Sequence, residues 1–185
     1  MQEETPGVSS YRSFDEVVLP HLDAAYNLAR WLVRNPHDAE DVVQEACLRA
    51  VKFFESYHGG DARSWLLRIV RNTSYSFIEK RRPAGSAQEF DEKIHVSSAE
   101  KPDAEALLLR SAETRALQGA LEELPVAFRE AVVLRELEGL SYKEISDVME
   151  IPIGTVMSSL ARGRTQLRKI LSHARERQVP RGLRR

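Results

Sequence analysis

Residues 141–164 read Ser141-Tyr142-Lys143-Glu144-Ile145-Ser146-Asp147-Val148-Met149-Glu150-Ile151-Pro152-Ile153-Gly154-Thr155-Val156-Met157-Ser158-Ser159-Leu160-Ala161-Arg162-Gly163-Arg164. Ser141 and Glu144 match a capping box, in which serine and glutamate reciprocally satisfy the exposed backbone donors of a helix start. The short helix that follows turns Ile145, Val148 and Met149 to a core, Glu150-Ile151-Pro152 interrupts it, and a longer helix carries Val156, Leu160, Leu167 and Leu171 inward. Short helix, tight turn and longer basic helix form the helix-turn-helix pattern. With that stripe inward, helical geometry turns Thr155, Ser158, Ser159, Arg162 and Gln166 outward. Short hydrogen-bonding side chains followed by an arginine suit a major groove, where a guanidinium donates bidentately to a guanine edge. Arg164, Arg168 and Lys169 flank this face as phosphate contacts. A plain surface helix with cations complementing its C-terminal dipole accounts for Arg175 and Arg177, but not for cap, turn and polar face in sequence.

Upstream, the pattern stays helical. Phe14, Val17, Val18, Leu22, Ala25, Leu28, Ala29 and Leu32 recur at steps of three and four, predicting one amphipathic helix over 14–34. Asn35-Pro36 ends it and caps a second helix running to about Tyr57, which buries Val42, Val43, Ala46, Ala50, Phe53 and Phe54. Gly59-Gly60 breaks that helix. A third, from about Ala62 to Arg82, carries Trp65, Leu66, Ile69, Val70, Phe77 and Ile78 on one side and closes at Pro83. Residues 83–103 lack sustained periodicity and read as a flexible linker. Helices over about 104–124 and 126–138 then lead into Ser141. The expected fold is all-α, two small helical domains over 12–82 and 104–175, with tails at 1–11 and 176–185.

The formal net charge of −1 conceals a strong alternation. Residues 1–45 carry a net −6, 63–82 a net +5, 83–106 and 107–150 a net −4 each, and 151–185 a net +8. Two separated cationic blocks suit two contacts with a polyanion, and the acidic stretches beside them suit a protein partner. The first block interleaves Arg63, Arg68, Arg71, Lys80, Arg81 and Arg82 with Asn72, Thr73, Tyr75 and Trp65. Cations among aromatic and amide groups fit single-stranded DNA, whose phosphates need charge and whose unstacked bases need a stack and edge contacts. Trp65, at helical spacing with Leu66 and Ile69, reads as core before stacking platform.

Other chemistries find little support. One cysteine, Cys47, excludes a disulfide framework and a cysteine zinc site, and packing is its expected role. His21, His37, His58, His95 and His173 are scattered, so no metal site is expected. No phosphate loop or nucleophile constellation appears, and the chain is expected to need no cofactor and to catalyse nothing itself. No apolar run, Ala106-Leu107-Leu108-Leu109 being among the longest, comes near the length of a membrane span, and Met1-Gln2-Glu3-Glu4 lacks a secretory pattern. A cytoplasmic location is therefore expected.

Four blocks, Asp38-Ala39-Glu40-Asp41-Val42-Val43-Gln44-Glu45, Trp65-Leu66-Leu67-Arg68-Ile69-Val70-Arg71-Asn72-Thr73, Leu140-Ser141-Tyr142-Lys143-Glu144-Ile145 and Ile153 to Arg164, resemble bacterial sigma factors of the extracytoplasmic-function (ECF) group of the sigma-70 family. The resemblance runs from about residue 12 to 172. It implies an initiation subunit that binds the clamp and flap of core RNA polymerase, opens the −10 element as single strands and reads the −35 element as duplex. It places the core-polymerase surface on Asp38, Asp41, Val42, Gln44 and Glu45. It places −10 contacts on Tyr57, His58, Asp61, Arg63, Arg68, Arg71, Asn72, Thr73, Tyr75, Lys80, Arg81 and Arg82, with the loop Glu55 to Asp61 forming the pocket for a flipped base. The −35 contacts fall on Thr155, Met157, Ser158, Ser159, Arg162, Arg164 and Arg168, although relatives often carry arginine where this chain has Ser159. An anti-sigma factor is implied as a further partner. The acidic linker is expected to lie against the basic helices of the free protein. The competing reading is an autonomous helix-turn-helix regulator that binds an operator tightly without polymerase.

Overall fold

Ser13 and Glu16 open the first helix with a capping box: the Ser13 N–H donates to Glu16 Oε2 at 3.0 Å and the Glu16 N–H to Ser13 Oγ at 3.3 Å. A computed structural model describes the backbone of residues 13–81 and 105–178, with side chains over 13–81 and 113–174. The expected linker over 83–103, Arg82, the side chains of Arg175 and Arg177, and the extreme tails lie outside the described residues. The helix expected over 14–34 is divided. α1 (Phe14–Val18) passes through a 3₁₀ turn at Leu19–His21 into α2 (Leu22–Val33), because Pro20 has no N–H to continue the ladder. Arg34 then takes the left-handed conformation, φ 63°, and ends α2.

Asn35 caps α3 (Pro36–Phe53) by accepting the N–H bonds of His37 and Asp38 at 2.9 and 3.2 Å, with Pro36 in the first helical position. Asp61 does the same for α4 (Ala62–Lys80). α2, α3 and α4 pack on one another through Ala25, Leu28, Ala29, Leu32, Val42, Ala46, Ala50, Leu66, Leu67 and Val70. Alanines on α2 and α3 let the helix axes approach closely and hand the space to leucines of α4. Phe53, expected inside, is exposed, and Phe54 packs in its place as the chain tightens into a 3₁₀ turn at Phe54–Ser56.

The C-terminal unit comprises α5 (Glu105–Glu122), α6 (Val126–Val132) prolonged by a π turn (Val133–Leu137), α7 (Tyr142–Met149) and α8 (Ile153–Gln178). The Ser141–Glu144 capping box is present as expected. Gly139 (φ 69°) and Glu150 (φ 56°) make the left-handed turns on either side of α7. Leu124, Ala131, Val133, Leu134, Ile145, Val148, Val156 and Leu160 form the core of this unit. No strand occurs among the described residues. The two units are not merely tethered: α4 packs on α7, and α2 on α6.

Candidate nucleic-acid and polymerase interfaces

α8 presents Thr155, Met157, Ser158, Arg162 and Arg168 to solvent. The Ser158 hydroxyl donates to the Thr155 carbonyl at 2.9 Å. Arg162 sits on the rim of an open depression of ≈ 590 Å³, shared with Phe128, Ala161, Thr165, Gln166 and Lys169. Ser159 corrects the outward assignment. It is buried with Val156, Leu160 and Gly163 in the stripe that faces the rest of the unit. Gly163 sets that stripe's width, since a Cβ there would stand 2.9 Å from Val132 Cγ2 and 3.3 Å from the Phe128 carbonyl oxygen. Arg164, expected on phosphate, instead donates from Nε and Nη2 to Glu136 Oε1 at 3.0 and 2.6 Å. That hydrogen bonding holds its pKa above the ordinary value.

On α4 the expected single-strand face is already occupied. Arg63 Nη2 donates to Glu138 Oε2 at 2.5 Å, and Glu138 Oε1 also accepts from Asn27 Nδ2 at 3.3 Å. Arg71 Nε donates to Glu130 Oε1 at 2.5 Å, the Tyr75 hydroxyl to Glu130 Oε2 at 2.8 Å, and Asn72 Nδ2 to Glu150 Oε2 at 3.5 Å. The Arg71 guanidinium also lies 4.7 Å from the centre of the Tyr75 ring. Glu130 is 0% exposed. Desolvation raises its pKa, against the pull of Arg71, Tyr75 and Arg129. Burial first, and the Glu130 charge next, push the Tyr75 phenol well above its usual value.

Arg68 and Lys80 are exposed, while Arg81 pairs with Asp38 at 2.6 Å. Thr73 is another correction: it is 3% exposed, and its hydroxyl donates to the Ile69 carbonyl inside the helix. Asp61 caps α4. Burial works against its charge, but hydrogen bonds from Ser64 and from the Arg63 N–H prevail, so its pKa lies below the usual value. Before it, the loop leans on an aromatic cluster. Tyr57 and Trp65 ring centres stand 5.0 Å apart, Phe54 and Tyr57 6.1 Å, and the Tyr57 hydroxyl donates to the Gly60 carbonyl at 2.9 Å. Trp65 thus packs, as its spacing suggests. Gly59 and Gly60 supply the positive φ values of 91° and 101° that turn the chain there, next to the exposed His58.

The outer face of α3 presents Asp41, Gln44 and Glu45, the last paired with Arg49 at 2.7 Å. Val42 does not join them; at 1% exposure it is core, because it shares the inward phase of Ala39, Ala46 and Ala50. Leu48 and Val51, not singled out by the sequence reading, stand 63% and 57% exposed on this helix. Their signal was available: in a helix whose inward phase is 39, 42, 46 and 50, apolar residues at 48 and 51 fall outside it. Cys47 is half-buried, and burial raises its thiol pKa, consistent with packing. Among the described residues no group of three or more histidine, cysteine or acidic side chains could hold a metal.

Two family models match the chain, Sigma-70 region 2 over residues 17–83 and Sigma-70 region 4 over residues 114–167. It is 36% identical over 149 residues to the ECF RNA polymerase sigma-E factor of Haemophilus influenzae, covering 76% of this chain and 77% of that protein. To the RNA polymerase sigma-H factor of Pseudomonas aeruginosa it is 34% identical over 169 residues, covering 86% of each. To the ECF RNA polymerase sigma factor SigE of Mycolicibacterium smegmatis it is 40% identical over 160 residues, 86% of this chain but only 62% of that protein. The chain also superposes on the sigma factor RpoE of Bartonella quintana, solved in complex with the anti-sigma factor NepR, with TM-score 0.66 and 27% identity over 86% of this chain and 96% of that one. The chain belongs to the sigma-70 family, in its ECF group.

Proposed function

We propose that this chain is an ECF sigma factor that binds core RNA polymerase, directs it to specific promoters and assists opening of the −10 element. The observation that carries the reading is the order of its parts: a region 2 match that ends with the basic α4, followed by a region 4 match whose helix-turn-helix leaves Thr155, Ser158 and Arg162 open for a duplex. In this reading residues 12–82 engage the polymerase clamp and the −10 strands, residues 83–103 span between elements, and residues 104–175 read the −35 duplex and dock on the flap. The polymerase surface is the outer face of α3, with Asp41, Gln44 and Glu45 giving charge complementarity to a basic partner and Leu48 and Val51 supplying its apolar contacts. Residues Tyr57, His58, Asp61, Arg63, Arg68, Arg71, Asn72, Tyr75 and Lys80 line the −10 side. Thr155, Met157, Ser158, Arg162 and Arg168 line the −35 side.

Strand opening is then driven by binding rather than by catalysis, with captured bases offsetting a few kcal/mol per unstacked step. The protein acts in the cytoplasm, where its DNA lies; among the described residues no helix is long and apolar enough to cross a membrane. An anti-sigma factor is a further partner, supported by the RpoE–NepR complex it resembles. Run-off transcription with purified core polymerase on genomic promoter fragments tests the reading. Specific transcripts that require both core enzyme and this chain are expected. Tight operator binding without polymerase, and no transcript with it, would instead establish an autonomous regulator.

A further inference from the structure

We propose that Met157 is a specificity determinant of the −35 contact, reading the C5-methyl group of a thymine in the major groove. This rests on the duplex-binding reading of α8 above and names a base feature that the helix selects. Met157 is 53% exposed, and Ile153, one turn earlier on the same side, is 44% exposed. Exposed apolar side chains scattered singly need no explanation, but these two adjoin at the start of α8. They do so within a segment, 151–185, of net charge +8, which suits a polyanion.

Val156, Ser159, Leu160 and Gly163 face the rest of the unit. At 100° per residue, the ridge opposite them is formed by Gly154, Ser158, Ala161 and Thr165, all exposed and all small. A ridge without bulk lets a helix lie deep in a groove. Nothing within the protein requires glycine at 154, since a Cβ there would meet no atom within 4 Å. Glycine is a poorer helix former than alanine, so the bare backbone at this point is accounted for by a close approach from outside.

The ridge hydroxyls are turned back on the helix. Ser158 donates to the Thr155 carbonyl at 2.9 Å and Thr165 to the Ala161 carbonyl at 2.8 Å, so toward the groove they offer lone pairs only. Arg162 stands exposed on one flank of the ridge as the strong donor. Met157 stands on the other, about 140° around the axis. Arg164, which shares that flank, is held by Glu136 through hydrogen bonds of 3.0 and 2.6 Å. Arg168, also exposed, lies about 16 Å further along the axis, at the distance of a phosphate and not of the same base pair. Near the helix start, the side chain left to meet a base edge on this flank is the methionine.

In the major groove thymine presents a methyl group and an acceptor, where cytosine presents an amine. An unbranched thioether packs on a methyl group through a choice of rotamers, with Ile153 beside it to exclude water. Cytosine in that place would bury its amine against an apolar side chain and leave a donor unsatisfied. Met157 and Arg162 thus divide the reading between an apolar contact and a guanine edge on separate base pairs.

The experiment uses holoenzyme assembled from core polymerase and the full chain. A duplex library randomised over the −35 element is selected by binding, and each thymine of the selected sequence is replaced in turn by deoxyuridine, which lacks only the methyl group. At one position binding is expected to weaken about fourfold, the worth of one methyl group leaving water. Met157→Ala is expected to bind both forms equally there, and Met157→Leu, still apolar, to keep the preference; the exposed site makes both substitutions compatible with folding. A selected sequence with no methyl-sensitive thymine would overturn the proposal. So would a preference that survives Met157→Ala, or one that Met157→Leu loses as fully as Met157→Ala. Holoenzyme that selects no −35 sequence at all sinks the duplex reading of α8 and the proposal with it, whereas selection without methyl sensitivity sinks the proposal alone.

Discussion

α4 and α8 carry comparable basic faces, yet α8 leaves Thr155, Ser158 and Arg162 in solvent whereas α4 has Arg63, Arg71 and Tyr75 seated on carboxylates of the opposite unit. The sign of a charge block therefore does not determine its availability. What decides is whether another surface of the same chain satisfies it first. α8 keeps its reading face free because the packing side of the helix is supplied by Val156, Ser159, Leu160 and Gly163. The core side of α4 is equally well filled, by Leu66, Leu67 and Val70, and its outward side is then covered as well.

The largest effect is expected from Leu66→Ala, which removes a fully buried side chain of the N-terminal core and should cost about 2–5 kcal/mol. Denaturant unfolding measures the loss. Under conditions where the C-terminal unit stays folded, duplex binding through α8 should persist; its disappearance would merge the two regions that the comparison separates. Gly163→Val is the counterpart in the other unit. Its added carbons meet Val132 and the Phe128 backbone, and overpacking of this kind costs about 1–3 kcal/mol. Here duplex binding should suffer together with stability, since α8 is displaced.

Arg162→Ala touches no core residue. It should weaken binding to a cognate −35 duplex by about 1–3 kcal/mol while sparing single-strand binding, as read by anisotropy. Equal losses on unrelated duplexes would reduce Arg162 to a phosphate contact.

Much of the fold can be read locally, because caps, prolines and apolar spacing act over one helical turn. The Ser141–Glu144 box, the Asn35-Pro36 restart and the inward positions Val156 and Leu160 of α8 are examples. The division at Pro20 was legible too, but the unbroken stripe from Phe14 to Leu32 outweighed it. Val42 received two incompatible assignments, inward by periodicity and outward by family resemblance, and burial follows periodicity. Ser159 falls outside the stripe of Val156, Leu160, Leu167 and Leu171, yet it lies three residues after Val156 and four before Gly163 and so shares their buried face. Thr73 resembles a polar DNA contact by residue type, yet its hydroxyl is satisfied one turn back by the Ile69 carbonyl. The pairs that cover α4 had no local signature. Arg71 and Glu130 lie 59 positions apart, and only the alternation of basic and acidic segments hinted that a protein surface would meet the cations.

The π turn at Val133–Leu137 gives that covering a definite register. There the Glu138 N–H bonds to the Val133 carbonyl five residues back, at 3.0 Å, so the helix holds one residue more than an α turn would. Rewinding those residues as ordinary α-helix at unchanged length would swing Glu138 about a quarter of the way around the axis, away from Arg63, while Glu130 upstream kept its place. The grip between the halves of this molecule thus depends on how one turn of helix is wound, with every charged side chain left intact.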